Sequence, residues 1–193
     1  MKTLFLTFIL CFFIQNISLA MNNQKHNDRT NHHIHDETKM HGLKGIDTTV
    51  KEENDLKIIR QNIELIKFLK NEMTVIIVVS NQSGVGRGFY TEKQVNDLHK
   101  WINVQLIKHE VKIDDFFFST ELPSENIKAS RRKPSPKMIN EAIKKYNLDK
   151  KKCFMIGDQK TDLMAAKNAS IKGFLFEGGD LSVKISKILK DHL

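Results

Sequence analysis

Three stretches of this chain hold residues that could do chemistry. The first is Ser80-Asn81-Gln82-Ser83-Gly84-Val85-Gly86-Arg87-Gly88. It sets hydroxyl and amide side chains beside glycines that let backbone N–H groups approach a ligand, which suits a phosphate cradle. An ordinary glycine-rich turn would look the same. The second is Arg131-Arg132-Lys133-Pro134-Ser135-Pro136. Its cations precede a helix start, joining fixed positive charge to exposed backbone donors, as an anion site requires. A solvated basic loop is the competing reading. The third is Gly157-Asp158-Gln159-Lys160-Thr161-Asp162-Leu163. Asp158 could hold Mg²⁺ as a hard oxygen ligand. Asp162 could orient the loop, cap a helix or add a second metal ligand.

These stretches matter only if the fold gathers them. Leu56, Ile59, Ile63, Ile66 and Leu69 recur at helical spacing and predict an amphipathic helix over about 52–70. Thr74 to Val79 is a continuous β-branched run, the mark of a strand buried on both faces. Thr91 and Gln94 form a capping box, and Val95, Leu98, Ile102 and Leu106 carry that helix to about Lys108. Ile113 to Phe118 is a second strand. Ser135 as N-cap and Pro136 at the first helical position open a helix through Ile139, Ala142, Ile143 and Tyr146. Cys153 to Ile156 is a third strand, about Lys160 to Ala169 a short helix, Gly173 to Phe176 a fourth strand, and about Leu181 to Leu189 a last helix. Strands alternating with helices imply βαβ units and a mostly parallel sheet. Such sheets bind ligands at the carboxyl ends of their strands, where all three stretches fall.

In this order, VVSNQSG, RRKPSP and MIGDQKTDLMAA resemble the motif set of the haloacid dehalogenase-like superfamily, over about Leu56 to Gly179. The likeness is strongest to its histidinol-phosphate phosphatases and its heptose bisphosphate phosphatases of lipopolysaccharide-precursor synthesis. It implies an α/β, Rossmann-like three-layer sandwich with a mostly parallel sheet, and hydrolysis of a heptose bisphosphate-like sugar phosphate or of histidinol phosphate. By the resemblance, Ser80 and Lys133 stabilise the transferring phosphoryl group. Asn81, Gln82, Ser83 and Arg132 join them in contacting substrate, and Asp158, with Asp162 as a second candidate, binds Mg²⁺. Phosphoryl transfer needs such positioning and charge neutralisation.

The family's nucleophile and general acid–base are two aspartates, two residues apart, at the end of an N-terminal strand. Upstream of Ser80 this chain has Asp28, Asp36, Asp47 and Asp55, and none belongs to such a pair. Met1 to Leu6 resembles the family's first strand, but Thr7-Phe8-Ile9-Leu10 follows where acids are needed. The first strand is therefore missing or replaced. Without a carboxylate nucleophile the covalent route is closed, so the expected phosphatase is impaired or inactive unless Asp36 or another residue substitutes. The alternative is a non-catalytic relative that binds a phosphorylated ligand, or the product of a degraded gene. The loop before Arg131 has no cysteine, so the zinc loop of some relatives is absent.

The rest of the chain frames this reading. Residues 1–20 have a basic start, an apolar run from Leu4 to Ile14 and small-ended Ser18-Leu19-Ala20, the layout of a secretory signal peptide. A misassigned start or a broken gene would also give this N-terminus. The run is short for a membrane span. Residues 21–50 read as a polar linker, and the spacing of His26, His32, His33, His35 and His41 matches no defined metal site. Residues 51–193 form the phosphatase-like domain. The leader-like segment suggests the periplasm or secretion, whereas the resemblance suggests the cytoplasm. Cys11 and Cys153 form no metal-ligand spacing, and Cys153 is expected to be a buried free thiol. The 193 residues, 40% apolar and 28% charged, suffice for one core plus an extension. The net charge of +8 suits an anionic partner. No aromatic platform or motif argues for nucleic acid. A monomer acting on a phosphorylated small molecule is expected.

Overall fold

The computed structural model describes residues 5–8, five residues between 63 and 69, 75–123, 130–178 and 181–192. Its elements, in chain order, are β1 (Phe5–Phe8), β2 (Val75–Asn81), α1 (Ser83–Gly86), α2 (Glu92–Ile107), β3 (Asp115–Ser119), α3 (Lys137–Tyr146), β4 (Cys153–Gly157), α4 (Lys160–Asn168), β5 (Lys172–Leu175) and α5 (Leu181–His192). The strands form one sheet in the order β3-β2-β1-β4-β5. Every neighbouring pair is parallel.

Because side chains alternate across a strand, the continuous apolar runs feed two cores. Ile76 and Val78 of β2 and Phe154 and Ile156 of β4 pack with Leu98, Ile102 and Leu106 of α2 and Ile185 and Ile188 of α5. Ile77, Val79, Cys153 and Met155 face the other way, onto Met138, Ile139 and Ala142 of α3 and Ala165 and Ala166 of α4. Helices therefore cover both faces of the sheet, the expected three-layer sandwich. Of the predicted first helix, the described residues Ile63, Glu64, Ile66, Lys67 and Leu69 are helical. Ile63, Ile66 and Leu69 are buried in the first of these cores.

The predicted Thr91–Gln94 capping box is present and starts α2 as expected. β3 departs from the prediction by starting at Asp115 instead of Ile113. The Asn103 side chain takes both backbone groups of Ile113, at 2.8 and 2.9 Å, so that residue cannot join a ladder. α3 starts at Lys137, with Pro136 as its cap; the Ser135 hydroxyl accepts from the Lys137 N–H at 3.3 Å without capping the helix. β5 begins one residue early, at Lys172, and α5 runs on to His192. Cys153 is a buried free thiol, pushed up to about 12 chiefly by burial.

The centre of the sheet holds the largest difference from expectation. The first strand is not missing: Phe5–Phe8 fills the middle position, pairing Phe5 and Leu6 with Val75 and Ile76, and Phe5 to Phe8 with Cys153 to Ile156. The apolar run read as leader-like thus contains the strand that joins the two halves of the sheet. The polar segment 21–50, with Asp36 and its histidines, and Cys11 lie outside the described residues.

Candidate active site

All strands being parallel, their carboxyl ends share one edge, and the three predicted stretches meet there. Ser80 is buried near the end of β2, in register with Phe118. Its hydroxyl accepts from Gln82 Nε2 at 3.3 Å, and Gln82 Oε1 accepts from the Tyr90 hydroxyl at 2.9 Å. Asn81 Oδ1 accepts from the Lys133 N–H at 2.9 Å, and Asn81 Nδ2 donates to the Lys133 carbonyl at 3.2 Å. Asn81 and Gln82, expected to touch substrate, therefore spend these groups on the protein itself. Asn81 fastens the second stretch to the end of β2, and Gln82 links Ser80 to Tyr90.

Lys133 joins the second stretch to the third. It is 3% exposed, and its ammonium donates to the Val79 carbonyl of β2 at 2.8 Å. It also lies 2.7 Å from Asp162 Oδ1 at the start of α4. No aligned hydrogen bond accompanies that contact, so charge holds it. Lys133 thereby spans from β2 to the helix after β4, across the position of β1. Asp162 Oδ2 accepts from the Gln159 N–H at 3.1 Å, closing a reciprocal cap on α4. With both oxygens engaged, Asp162 caps the helix and holds Lys133. Gly157 makes room for it: a Cβ there would sit 2.2 Å from Asp162 Oδ2.

Asp158 is different. Oδ2 accepts from Gln159 Nε2 at 3.2 Å. Oδ1 is buried and has no hydrogen-bond partner among the described residues. An orphaned carboxylate oxygen at a strand tip is a natural cation ligand. Among the described residues, no group of three or more His, Cys, Asp and Glu side chains could hold a metal ion. Mg²⁺ commonly takes one or two carboxylates and completes its shell with water and phosphate. Asp158 fits that pattern as half a site.

The glycine loop and the basic loop both differ from their simplest reading. The N–H groups of Gln82, Val85, Arg87, Gly88 and Phe89 donate to backbone carbonyls, so those groups do not cradle a ligand. A Cβ on Gly86 would lie 2.5 Å from the Thr120 carbonyl oxygen; the glycine admits the neighbouring loop, not a phosphate. In the basic stretch, Arg131 pairs with Glu141 at 2.6 Å and donates to the Phe118 carbonyl. Arg132 is half-buried, and its Nη1 donates to the Glu121 carbonyl at 3.2 Å. Ser83 Oγ accepts from Arg87 Nη1 at 2.7 Å. Sequence reasoning gave no role to Tyr90, Glu121 or Arg87. Of these, only Arg87 had a signal, as the cation inside the first stretch.

Comparisons with known proteins point to one family. Residues 130–187 match a family model described as HAD-hydrolase-like. The chain is 37% identical over 119 residues to a D-glycero-β-D-manno-heptose-1,7-bisphosphate 7-phosphatase of Rhodopseudomonas palustris, covering 59% of this chain and 66% of that one. It is 32% identical over 127 residues to the enzyme of the same name from Helicobacter pylori, covering 65% and 72%. The chain thus spans about two thirds of the length of the R. palustris relative. Its fold is similar to a D,D-heptose 1,7-bisphosphate phosphatase from B. bronchiseptica, crystallised with magnesium and phosphate. The TM-score is 0.55 at 24% identity, over 65% of this chain and 69% of that one.

Proposed function

The chain belongs to the haloacid dehalogenase-like phosphatases, and from that premise we propose that it binds a sugar phosphate of the heptose bisphosphate type and hydrolyses it slowly or not at all. The substrate class rests on the relatives' names and on the gathering of Ser80, Lys133 and Asp158 at one sheet edge. Lys133 is a buried cation at that edge, held by Val79 and Asp162 so that little reorganisation is needed when an anion arrives. The Ser80 hydroxyl offers a donor to a phosphoryl oxygen, with Gln82 setting its orientation. Arg132 contributes charge from the loop. Mg²⁺, held by Asp158, would neutralise charge on the phosphoryl oxygens.

The impairment follows from one observation about β1. It occupies the central position of the sheet, yet neither it nor the sequence after it supplies an acid. Phe8 pairs two residues short of Asp158, and Leu6 pairs four residues short of Ser80. Ile9-Leu10-Cys11-Phe12 comes next, and the first twenty residues contain no Asp or Glu. No carboxylate nucleophile is available from that segment.

The test is phosphate release by the purified full chain with Mg²⁺ and D-glycero-β-D-manno-heptose 1,7-bisphosphate, beside calorimetric binding of the same sugar. Binding with little or no turnover is expected. Rapid turnover abolished by Asp158→Asn would overturn the impairment. Absence of both binding and turnover in folded protein would overturn the substrate class.

A further inference from the structure

Two hydrogen bonds beneath the site point the same way. The Tyr90 hydroxyl donates to Gln82 Oε1 at 2.9 Å, and Gln82 Nε2 donates to Ser80 Oγ at 3.3 Å. All three side chains are buried. The bond from Gln82 uses a lone pair of the serine oxygen, so the serine proton remains to be donated. An amide turned the other way would take that proton with its own oxygen. Tyr90 opposes this turn, because a phenol, whose ring draws on the oxygen lone pair, donates better than it accepts. The backbone holds the parts in place. The Gln82 N–H donates to the Ser119 carbonyl of β3 at 2.7 Å. The Phe89 N–H donates to the Gly84 carbonyl at 2.8 Å, which folds the chain back just before Tyr90. Gly84 makes room for the ring: a Cβ there would lie 2.2 Å from Tyr90 Cε1 and 2.5 Å from its hydroxyl oxygen. This glycine of the first stretch thus admits a phenol.

We propose that Tyr90 is a positioning residue: acting through Gln82, it turns the Ser80 hydroxyl proton toward the phosphoryl group received at this edge. The inference rests on the sugar-phosphate reading above. The donors then form one line, from Tyr90 to Gln82 to Ser80 to a phosphoryl oxygen. In a buried line each bond polarises the next. The negative charge at its end strengthens the last link most, since a bond to an ionised acceptor is about twice as strong as a neutral one. Tyr90 needs no contact with the substrate for this. Its hydroxyl, not its bulk, carries the role: phenylalanine would fill the same space and leave Gln82 Oε1 without that donor.

The experiment is a double-mutant cycle on the full chain with Mg²⁺, reading calorimetric affinity for D-glycero-β-D-manno-heptose 1,7-bisphosphate. Tyr90→Phe is expected to weaken binding about fivefold, the scale of one lost hydrogen bond. In a Ser80→Ala background the same substitution should change affinity by no more than about twofold, because no serine proton remains to be aimed. Gln82→Met removes both polar atoms at similar side-chain length and should lose at least as much as Tyr90→Phe. Thermal melts show which variants fold, and Gln82→Met takes the place of Tyr90→Phe in the cycle if the latter does not. Unchanged affinity in the folded variant overturns the positioning role. So does an equal loss in both backgrounds, which is what a purely structural tyrosine would give. Ser80→Ala that binds as tightly as wild type overturns the positioning role and leaves the sugar-phosphate reading intact. Wild type that binds no bisphosphate overturns both.

Discussion

β4 and β1 lie side by side at the middle of the sheet, and they finish differently. β4 is an apolar run that ends in Gly157 and Asp158, with Asp162 folding back to hold Lys133. β1 is an apolar run followed in sequence by more apolar residues. Both meet the demand for a strand paired on two sides. Only one supplies a polar tip. Building the layer and furnishing a polar tip are thus separate requirements on a sequence.

The largest effect should come from breaking the furnished tip. Asp162→Ala leaves the Lys133 ammonium buried without its counter-charge, and a loss of about 3–5 kcal/mol is expected in urea unfolding. The double variant Lys133→Met with Asp162→Leu should recover most of it, because apolar replacements can offset a buried pair. A single variant within 1 kcal/mol of wild type would mean that the tip is not organised around this pair.

Acid should weaken the sheet through a buried histidine of α2. His99 is buried on α2, stacked 4.2 Å from Phe116, and burial lowers it to about 4 from 6.5. The unfolded chain takes this proton near pH 6.5, the folded chain only near 4. The contribution is therefore complete above pH 6.5 and is lost as pH falls toward 4, by about 3 kcal/mol. His99→Phe should flatten that part of the stability profile. If it does not, His99 is not the source of the acid sensitivity.

Giving β1 what β4 has sharpens the comparison most directly. The double substitution Leu10→Asp and Phe12→Asp supplies a pair of acids two apart beyond the strand. Phosphate release from the bisphosphate should rise about a hundredfold, the low end for a positioned acid–base group. No gain, from a variant that melts like wild type, would place the defect elsewhere in the site. The smallest effect expected is that of Asn81→Ala. Losing both bonds to the Lys133 backbone should cost about 1–2 kcal/mol in the same unfolding measurement.

What could be read in advance was local. The Thr91–Gln94 box, the β-branched run of β2 and the apolar face of α2 each carry their signal within a few residues, and each was legible. Lys133 and Asp162 are far apart in sequence, so nothing in either stretch announces that they meet. For the same reason nothing in the first stretch announces that the Asn81 and Gln82 amides bond the Lys133 backbone, Ser80 and Tyr90. The start of β3 was misplaced because Asn103, one helix away, intercepts the Ile113 backbone. Residues 5–8 fitted two descriptions at once, because the apolar core of an export signal and a central strand of a parallel sheet have similar composition.

β1 precedes both of its partners in the chain, by about 70 residues for β2 and about 150 for β4. About 150 residues must follow Phe5 before Cys153 exists to pair with it, which at ribosomal speed takes roughly ten to thirty seconds. One edge of the strand that will unite the sheet can pair once β2 has followed, about 70 residues after Phe5, but its other edge stays open until β4. Whatever meets it first competes with β2 and β4, so the yield of folded protein is set by a race as much as by an equilibrium.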